Sequence, residues 1–184
     1  MNTELVVLVD EKNNVLGTLP KSSVHRKETP LHRGFSIFLF NERKELLLQQ
    51  RSNEKQTWPL AWSNSCCGHP GLNETTDQAA KRRLSEELGL RDVYLTKISP
   101  YRYCFTKDDI MENEICPILF GYTMKTPTIN KNEIEEISWI TWKKFLASIK
   151  SDPEKYSPWC KEEATILNNS STFHEHLNKI PTLK

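Results

Sequence analysis

The first fifty residues alternate between apolar runs and short polar segments at a spacing typical of β-hairpins. Runs rich in β-branched, leucine or aromatic side chains are separated by polar segments at 10–14 and 41–45, and they cover residues 5–9, 15–19, 35–40 and 46–51. The pattern predicts an N-terminal hairpin and a second hairpin whose strands are mostly buried. Pro20 favours the start of a short helical turn, on which Lys21 and His25 would share one face.

The clearest helix begins after Thr75. Thr75 and Gln78 form a capping-box pattern, an apolar stripe recurs every four residues through Leu84 and Leu88, and Gly89 ends the helix. The charged residues of this helix are expected on faces turned away from the apolar stripe: Arg82, Arg83, Glu86 and Glu87.

The second half of the chain predicts further strands and helices. Strands are expected at residues 93–98, 102–105, 115–124 and 137–141, and helices at residues 142–150 and 158–177. Glu112 and Glu114 precede the strand at 115–124 and would point to one face, because they are two apart in an extended chain. They are either a solvated strand end or a pair of metal ligands. Three nearby acids are expected in an exposed turn without a role: Glu133, Glu135 and Glu136.

Composition adds limits to this picture. The 184 residues are enough for a sizeable core, and the elements predict one α/β or α+β domain over residues 1–184. The formal net charge is +1, so no overall field draws the chain to nucleic acid or to a membrane. No apolar run approaches 18 residues and no signal-peptide pattern opens the sequence, so the simplest expectation is a soluble, cytoplasmic protein.

Cysteine positions carry the first candidate chemistry. The five cysteines are an odd number without a CxxC pair, which argues against a disulfide scaffold and against a thiolate zinc site. Cys67 lies two residues before His69, in a segment that Gly68 and Pro70 predict to be a loop. A cysteine in a loop has little to pack against, so Cys67 is a candidate for chemistry.

Other candidates have an ordinary structural explanation beside a functional one. His32 is either a surface residue or a metal ligand, and Arg51 with Lys55 is either a solvated basic loop or an anion site. Trp58 and Trp62 are either core residues or the walls of a pocket for an apolar ligand.

The segment from residue 68 to residue 90 resembles the Nudix box. The matching pattern is Gly68, five residues, Glu74, seven residues, Arg82, Arg83, Leu84, one residue, Glu86, Glu87, one residue, Gly89 and Leu90. In that family the carboxylates of a loop–helix–loop hold divalent metal against a diphosphate. Arg83 departs from the pattern, because the family has an acid there, and this puts ordinary Nudix hydrolysis in doubt.

Further motifs together resemble type I isopentenyl diphosphate isomerases of the Nudix superfamily. They are residues 64–70, Arg102 with Tyr103, residues 112–117 and residues 157–159, and the match covers nearly the whole chain in one order. The resemblance implies a Nudix fold, a mixed β-sheet sandwiched between helices, here with an N-terminal hairpin extension. It also implies a 1,3-allylic rearrangement of isopentenyl diphosphate to dimethylallyl diphosphate through a carbocation.

The resemblance also implies roles for particular residues. Catalysis would use Cys67 and Glu114 on opposite faces of the substrate, with Tyr103 orienting or relaying a proton. One divalent ion (Mn²⁺, Zn²⁺ or Mg²⁺) would be held by His25, His32, His69, Glu112 and Glu114. A Mg²⁺ on the diphosphate would be held by Glu87 and the backbone carbonyl of Cys67. The substrate would be bound by Lys21, Arg51, Lys55, Arg83 and Trp159.

Two other functions remain as alternatives. A Nudix pyrophosphohydrolase would use Glu86 and Glu87 for a metal pair, and a non-catalytic metal- or diphosphate-binding module would leave Cys67 and Tyr103 incidental. The expected partner is a small isoprenoid diphosphate, with no nucleic acid and no membrane, and the expected state is a monomer or weak homodimer.

Overall fold

The computed structural model describes residues 4–181, whose strands form two mixed β-sheets. The strands are β1 (Leu5–Val9), β2 (Val15–Pro20), β3 (His32–Arg33), β4 (Phe35–Phe40), β5 (Glu45–Arg51), β6 (Trp62–Ser63), β7 (Cys66–Gly68), β8 (Tyr94–Ser99), β9 (Arg102–Lys107), β10 (Ile110–Ile115), β11 (Ile118–Tyr122) and β12 (Ile134–Thr141). The helices are α1 (Lys21–Val24), α2 (Thr76–Leu88), α3 (Trp142–Ser151), α4 (Pro158–Asn168) and α5 (Ser171–Lys179), with a 3₁₀ turn at Pro153–Lys155.

The first sheet has the strand order β2-β1-β3-β10-β9, and the second has the order β12-β5-β4-β11-β8. One parallel pair lies in each sheet, β3 with β10 and β4 with β11, and the other pairs are antiparallel. The short strands β6 and β7 add to β5 and β4. The α+β architecture and the N-terminal hairpin that the sequence predicts are therefore confirmed.

Strand β4 lies at the centre of the second sheet, and all six of its residues are buried. Alternate residues face opposite sides, so a continuous apolar run is what a strand covered on both faces requires. One face packs in a cluster with α2, and the other packs in a cluster with residues of α3, α4 and α5. The sheet is thus sandwiched between helices, as the resemblance implies.

Helix α2 begins and ends as its sequence predicts. Both hydrogen bonds of the capping box between Thr75 and Gln78 are present, and Gly89 has a φ of 64°, a left-handed conformation that glycine adopts readily. The prediction for its charged residues is wrong at two positions. Arg83 and Glu87 do not face solvent but are buried, where each neutralises the other.

Three boundaries differ from the sequence prediction. Segment 62–70 is not simply a loop, because Cys66–Gly68 pairs with Phe35–Ile37 of β4. The strand expected at 115–124 is broken at Cys116–Pro117, where the chain passes from β10 to β11 in the other sheet, and proline lacks the amide hydrogen for a ladder bond. The helix expected at 158–177 is two helices, because Ser170 caps a new one.

No helix within residues 4–181 has the length and apolar character needed to cross a membrane.

Candidate active site

A cavity of about 510 Å³ opens between the two sheets. This is within the usual size of a small-molecule site. Most of the residues expected to act on a substrate line it: Lys21, His25, Arg51, Lys55, Cys67, His69, Arg83, Tyr103, Glu112, Glu114 and Trp159. We call the part around the histidines the metal end and the part around Lys21, Arg51, Lys55 and Arg83 the cationic end.

At the metal end, the three histidines that the sequence singles out converge. Their ring centroids are 5.2–5.7 Å apart. Each comes from a different element: His25 follows α1, His32 lies on β3 and His69 directly follows β7. Glu114 is brought to them because β10 pairs in parallel with β3, placing Glu114 opposite His32.

Glu112 and Glu114 share one face of β10, as their spacing predicts, and both are buried. Glu114 Oε1 lies 3.1 Å from His69 Nε2 and 3.5 Å from His32 Nε2, while Glu112 Oε2 lies 3.0 Å from His25 Nε2. Gly34 makes room for the Glu114 carboxylate, because a β-carbon there would collide with it. The carboxylates are therefore held among imidazoles by the packing of the first sheet.

The donor set fits a divalent ion. His32 Nδ1 must donate to the carbonyl of Pro30 at 2.9 Å, so Nε2 is the nitrogen that faces the cluster, and it carries a lone pair when the ring is neutral. Within residues 4–181, the buried atoms His25 Nε2, His32 Nε2 and His69 Nδ1 make no hydrogen bond. One ligand atom from each of the three histidines and Glu114 lies within 4.8 Å of the others. Ligands on opposite sides of a transition-metal ion are separated by roughly 4–4.5 Å.

The pKa of the Glu114 carboxyl reflects these surroundings. Burial acts to raise it, but the charges of His69 and His32 outweigh burial and hold the pKa well below its usual range. Glu114 is thus an ionised carboxylate in a nearly closed site, which is the form that binds metal.

Cys67 lies on β7 with its thiol at the cavity wall. Its Sγ atom is 3.1 Å from Asn64 Nδ2, 3.2 Å from Asn64 Oδ1 and 3.6 Å from Ser36 Oγ. Burial is the largest cause that raises the pKa of the thiol to about 12, and the hydrogen bonds from Ser36 and Asn64 act to lower it. The amide of Asn64 is itself fully buried, so it fixes the position of the sulfur.

An aromatic wall faces these groups. Tyr103 pairs with Glu114 across β9 and β10, and its ring stacks on Trp159 at 5.9 Å with an 18° angle between the planes. Trp159 Nε1 donates to Ser63 Oγ at 3.1 Å. The expectation that Trp58 and Trp62 wall the pocket is wrong. Neither lines the cavity, and Trp58 is a core residue whose ring meets Trp159 edge to face, with 5.2 Å between the centroids.

At the cationic end, carboxylates already pair with three of the four basic residues. Lys21 lies 3.0 Å from Glu4, while Lys55 contacts Glu133. Arg83 contacts Glu87 and lies 3.2 Å from Glu133 and 3.0 Å from Glu86.

The fourth basic residue, Arg51, is held by backbone and aromatic groups instead. Its guanidinium donates to the carbonyls of Thr57 and Trp58 and lies 5.3 Å from the centroid of the Trp159 ring. It therefore links the cationic end to the aromatic wall.

Two expected metal ligands lie behind the cavity wall. His32 is fully buried beneath the other histidines, and Glu87 is only 2% exposed behind Arg83. The role of Glu87 and of the Cys67 carbonyl toward a diphosphate-bound Mg²⁺ stays a prediction.

Three acidic residues of the site have no role in the sequence prediction. Glu133, expected in an exposed turn, lines the cavity and pairs with Lys55 and Arg83, and Glu4 lines it beside Lys21. Glu163 is fully buried near Cys67. Only Glu163 leaves a signal in the sequence, since it lies four residues after Trp159 and therefore on the same helix face.

Comparison with known proteins agrees with this architecture. The NUDIX domain family model matches residues 30–160, so the chain belongs to the NUDIX family. Curated relatives named isopentenyl-diphosphate Delta-isomerase include one from Saccharopolyspora erythraea, 41% identical over 166 residues, covering 89% of this chain and 86% of the relative. Another, from Rhizobium rhizogenes, is 39% identical over 169 residues, and the match covers 89% of this chain and 80% of the relative. Within the NUDIX family, the chain belongs to the isopentenyl-diphosphate Delta-isomerases.

Solved structures share the fold at lower identity. A protein from Deinococcus radiodurans superposes with a TM-score of 0.71 at 23% identity, covering 89% of this chain and 98% of that chain. A MutT protein from Methanosarcina mazei superposes with a TM-score of 0.63 at 21% identity, covering 83% of this chain and 98% of that chain. These two similarities concern the fold alone.

Proposed function

We propose that this chain isomerises isopentenyl diphosphate to dimethylallyl diphosphate. The observation that carries the proposal is a single cavity in which Cys67 and Glu114 lie beside an aromatic wall, with four basic residues at the other end. The reaction needs these parts together, because a proton must be added to an unactivated alkene at one end of a molecule whose other end carries a diphosphate.

The cationic end binds the diphosphate in this proposal. Lys21, Arg51, Lys55 and Arg83 line the cavity from separate elements, so they can surround a group with several negative charges. Arginine binds phosphate oxygens through two parallel N–H groups and lysine acts as a point charge. This fixes the isoprenoid part of the substrate at the metal end.

The metal end would hold a divalent ion through His25, His32, His69, Glu112 and Glu114. When bound, the ion supplies positive charge that fixes Glu114 and tunes its basicity. A second ion, Mg²⁺, would accompany the diphosphate, with Glu87 and the Cys67 carbonyl as its protein ligands. The three-histidine, two-carboxylate set suits Mn²⁺, Zn²⁺ or Mg²⁺.

Cys67 and Glu114 exchange the two protons of the reaction. One proton adds to the terminal CH₂ carbon and leaves a tertiary carbocation at C3, and one proton then leaves C2, so the formula of the substrate is unchanged. Tyr103, opposite Glu114 on β9, orients that carboxyl. General acid–base transfer contributes roughly 10²–10⁴-fold.

The carbocation also needs stabilisation. The Trp159 ring offers a cation–π contact of about 0.5–2 kcal/mol, larger when the cation is desolvated. Tyr103 and Trp159 line the cavity, and their rings would shield the cation from water, which would otherwise trap it as an alcohol.

Turnover in deuterated water tests this function. The protein, loaded with divalent metal, should convert isopentenyl diphosphate to dimethylallyl diphosphate with deuterium incorporation and without release of phosphate or pyrophosphate. Cys67→Ala should lose turnover but keep its metal, whereas Cys104→Ala, at an exposed cysteine on β9, should change neither. Near-normal turnover in metal-loaded Cys67→Ala would remove the thiol from the mechanism.

The hydrolase alternative has less support. Glu86 and Glu87, which would hold its metal pair, both contact Arg83. Release of pyrophosphate or phosphate from isoprenoid or nucleoside diphosphates would favour it over isomerisation.

A further inference from the structure

Glu133 contacts two of the four basic residues of the cationic end. One carboxylate oxygen, Oε2, contacts Lys55 Nζ and lies 3.2 Å from Arg83 Nη2. Glu133 lines the cavity, and its side chain is 24% exposed. A single oxygen between a lysine and an arginine is the arrangement that a phosphate oxygen would adopt there.

The position of Glu133 is fixed by its backbone. The Asn130 amide donates to the carbonyl of Glu87 at the end of α2 at 2.8 Å, and the Glu133 amide donates to the Asn130 carbonyl at 3.0 Å. The Ser52 amide donates to the Glu133 carbonyl at 3.1 Å, which ties this turn to the segment that carries Lys55. The contact of Glu133 with the two cations is therefore built into the fold and is not a chance surface pairing.

Glu133 is charged in the free protein. Burial acts to raise the pKa of its carboxyl, but the charges of Lys55 and Arg83 outweigh burial and lower the pKa to about 2. Lys55 and Arg83 therefore meet a full negative charge before any ligand arrives. A diphosphate must compete with that charge for the same N–H donors.

We propose that Glu133 is an internal counter-ion which the substrate diphosphate displaces, and that it lowers the affinity of the site for diphosphates. This inference rests on the proposed function. Before the substrate binds, Glu133 holds Lys55 and Arg83 in place by neutralising their charges. When Glu133 contacts them again after the reaction, it helps the product diphosphate to leave. Glu4 is a counter-ion of Lys21 in the same way. Its effect on diphosphate affinity is smaller because the pair is more exposed, with 39% of the Glu4 side chain and 28% of the Lys21 side chain accessible to solvent.

Binding of inorganic pyrophosphate tests the inference. Isothermal titration calorimetry without divalent metal should show Glu133→Gln binding pyrophosphate about fivefold more tightly than the unaltered protein, the effect of an ion pair that contributes about 1 kcal/mol. The matched control is Glu136→Gln, which removes the same charge from an exposed position three residues later, on β12, and should change binding by less than about twofold. KM for isopentenyl diphosphate should fall in Glu133→Gln.

The outcomes separate the inference from the proposed function. If the unaltered protein binds pyrophosphate and Glu133→Gln binds it equally or more weakly, Glu133 only organises Lys55 and Arg83 and the inference is wrong. If the unaltered protein binds pyrophosphate neither without metal nor with Mg²⁺ added, the proposed function fails at its binding step. Glu4→Gln is a second variant, remote from β12, and should tighten binding about two- to threefold. An unchanged affinity there would limit the counter-ion effect to Glu133 and would contradict the second half of the proposal.

Discussion

The two ends of the cavity differ in the sign of the charged side chains that they gather. The metal end gathers carboxylates and imidazoles that are almost wholly buried, with His32 at 0% and Glu114 at 5% exposure. At the cationic end Lys21 and Lys55 keep contact with solvent, and carboxylates already pair with Lys21, Lys55 and Arg83. We expect a cation to complete the first set, and we expect the second to release a carboxylate when it binds an anion.

Residue pairs taken from the two ends differ in the same sense. His32 and Glu114 lie opposite each other on paired strands, so their separation is set by the sheet. Lys55 and Glu133 lie in turns, and Lys21 follows a hairpin. A rigid frame suits ligands whose distances to a metal vary by tenths of an ångström, and side chains on turns suit an exchange of partners.

The largest expected effect is at the metal end. Glu114→Gln should no longer bind the divalent ion, and its turnover should fall about 10³-fold. The substitution removes both a metal ligand and a proton-transfer group. Metal content after dialysis and the rate of deuterium incorporation measure the two losses. Glu112→Gln is the matched control, with smaller losses because Glu112 reaches only His25 among the histidines. Full metal content in Glu114→Gln would show that the imidazoles alone hold the ion.

Sequence reasoning captured what local chemistry decides. The capping box at Thr75, the left-handed Gly89 and the apolar run of β4 follow from residues within a few positions of one another. The meeting of His32 with Glu114, 82 positions later, depends on a parallel pairing that no local pattern contains. The expectation that His32 and Glu114 bind one metal ion therefore comes from the family resemblance and not from a local pattern.

The errors in prediction have a related cause. Glu133 and Arg83 were expected at the surface because charged residues normally lie there, but charges are buried where opposite charges meet them. Which charges meet is decided by the turn at 130–133 packing on the end of α2. The break at Cys116–Pro117 was missed because apolar residues continue through it, although Pro117 itself was a signal.

The cationic end should affect substrate binding without affecting the metal. Lys55→Met should raise KM for isopentenyl diphosphate by about 10–100-fold, since a hydrogen bond to a charged group contributes about 1.5–3 kcal/mol. Metal content should not change. Lys81→Met, at an exposed lysine on α2 outside this cavity, is the control for loss of a positive charge. Loss of metal in Lys55→Met would show that the two ends are not independent.

The aromatic wall between the two ends should have a smaller effect. Trp159→Phe keeps a ring over the isoprenoid but weakens the cation–π contact and loses the bond from Nε1 to Ser63. A change of about 0.5–2 kcal/mol corresponds to roughly 2–30-fold in kcat. KM should change less than kcat, because the cation exists only during the reaction. A larger change in KM would mean that Trp159 mainly holds the substrate.

The smallest effect tests whether neutralisation, and not burial alone, distinguishes the carboxylates of this site. Glu163 is buried as deeply as Glu114, yet neither of its carboxylate oxygens makes a hydrogen bond within residues 4–181. Burial raises the pKa of Glu163 well above its usual range, the opposite of Glu114. An acid whose pKa is raised on folding stabilises the protein below its unfolded pKa, and that stability is lost as the pH rises towards the folded pKa. Glu163→Gln removes this dependence, so its melting temperature relative to the unaltered protein should increase steadily from pH 5 to pH 8. A constant difference over that range would mean that Glu163 is ionised in the folded protein, held by a cation or water as Glu114 is held by its histidines.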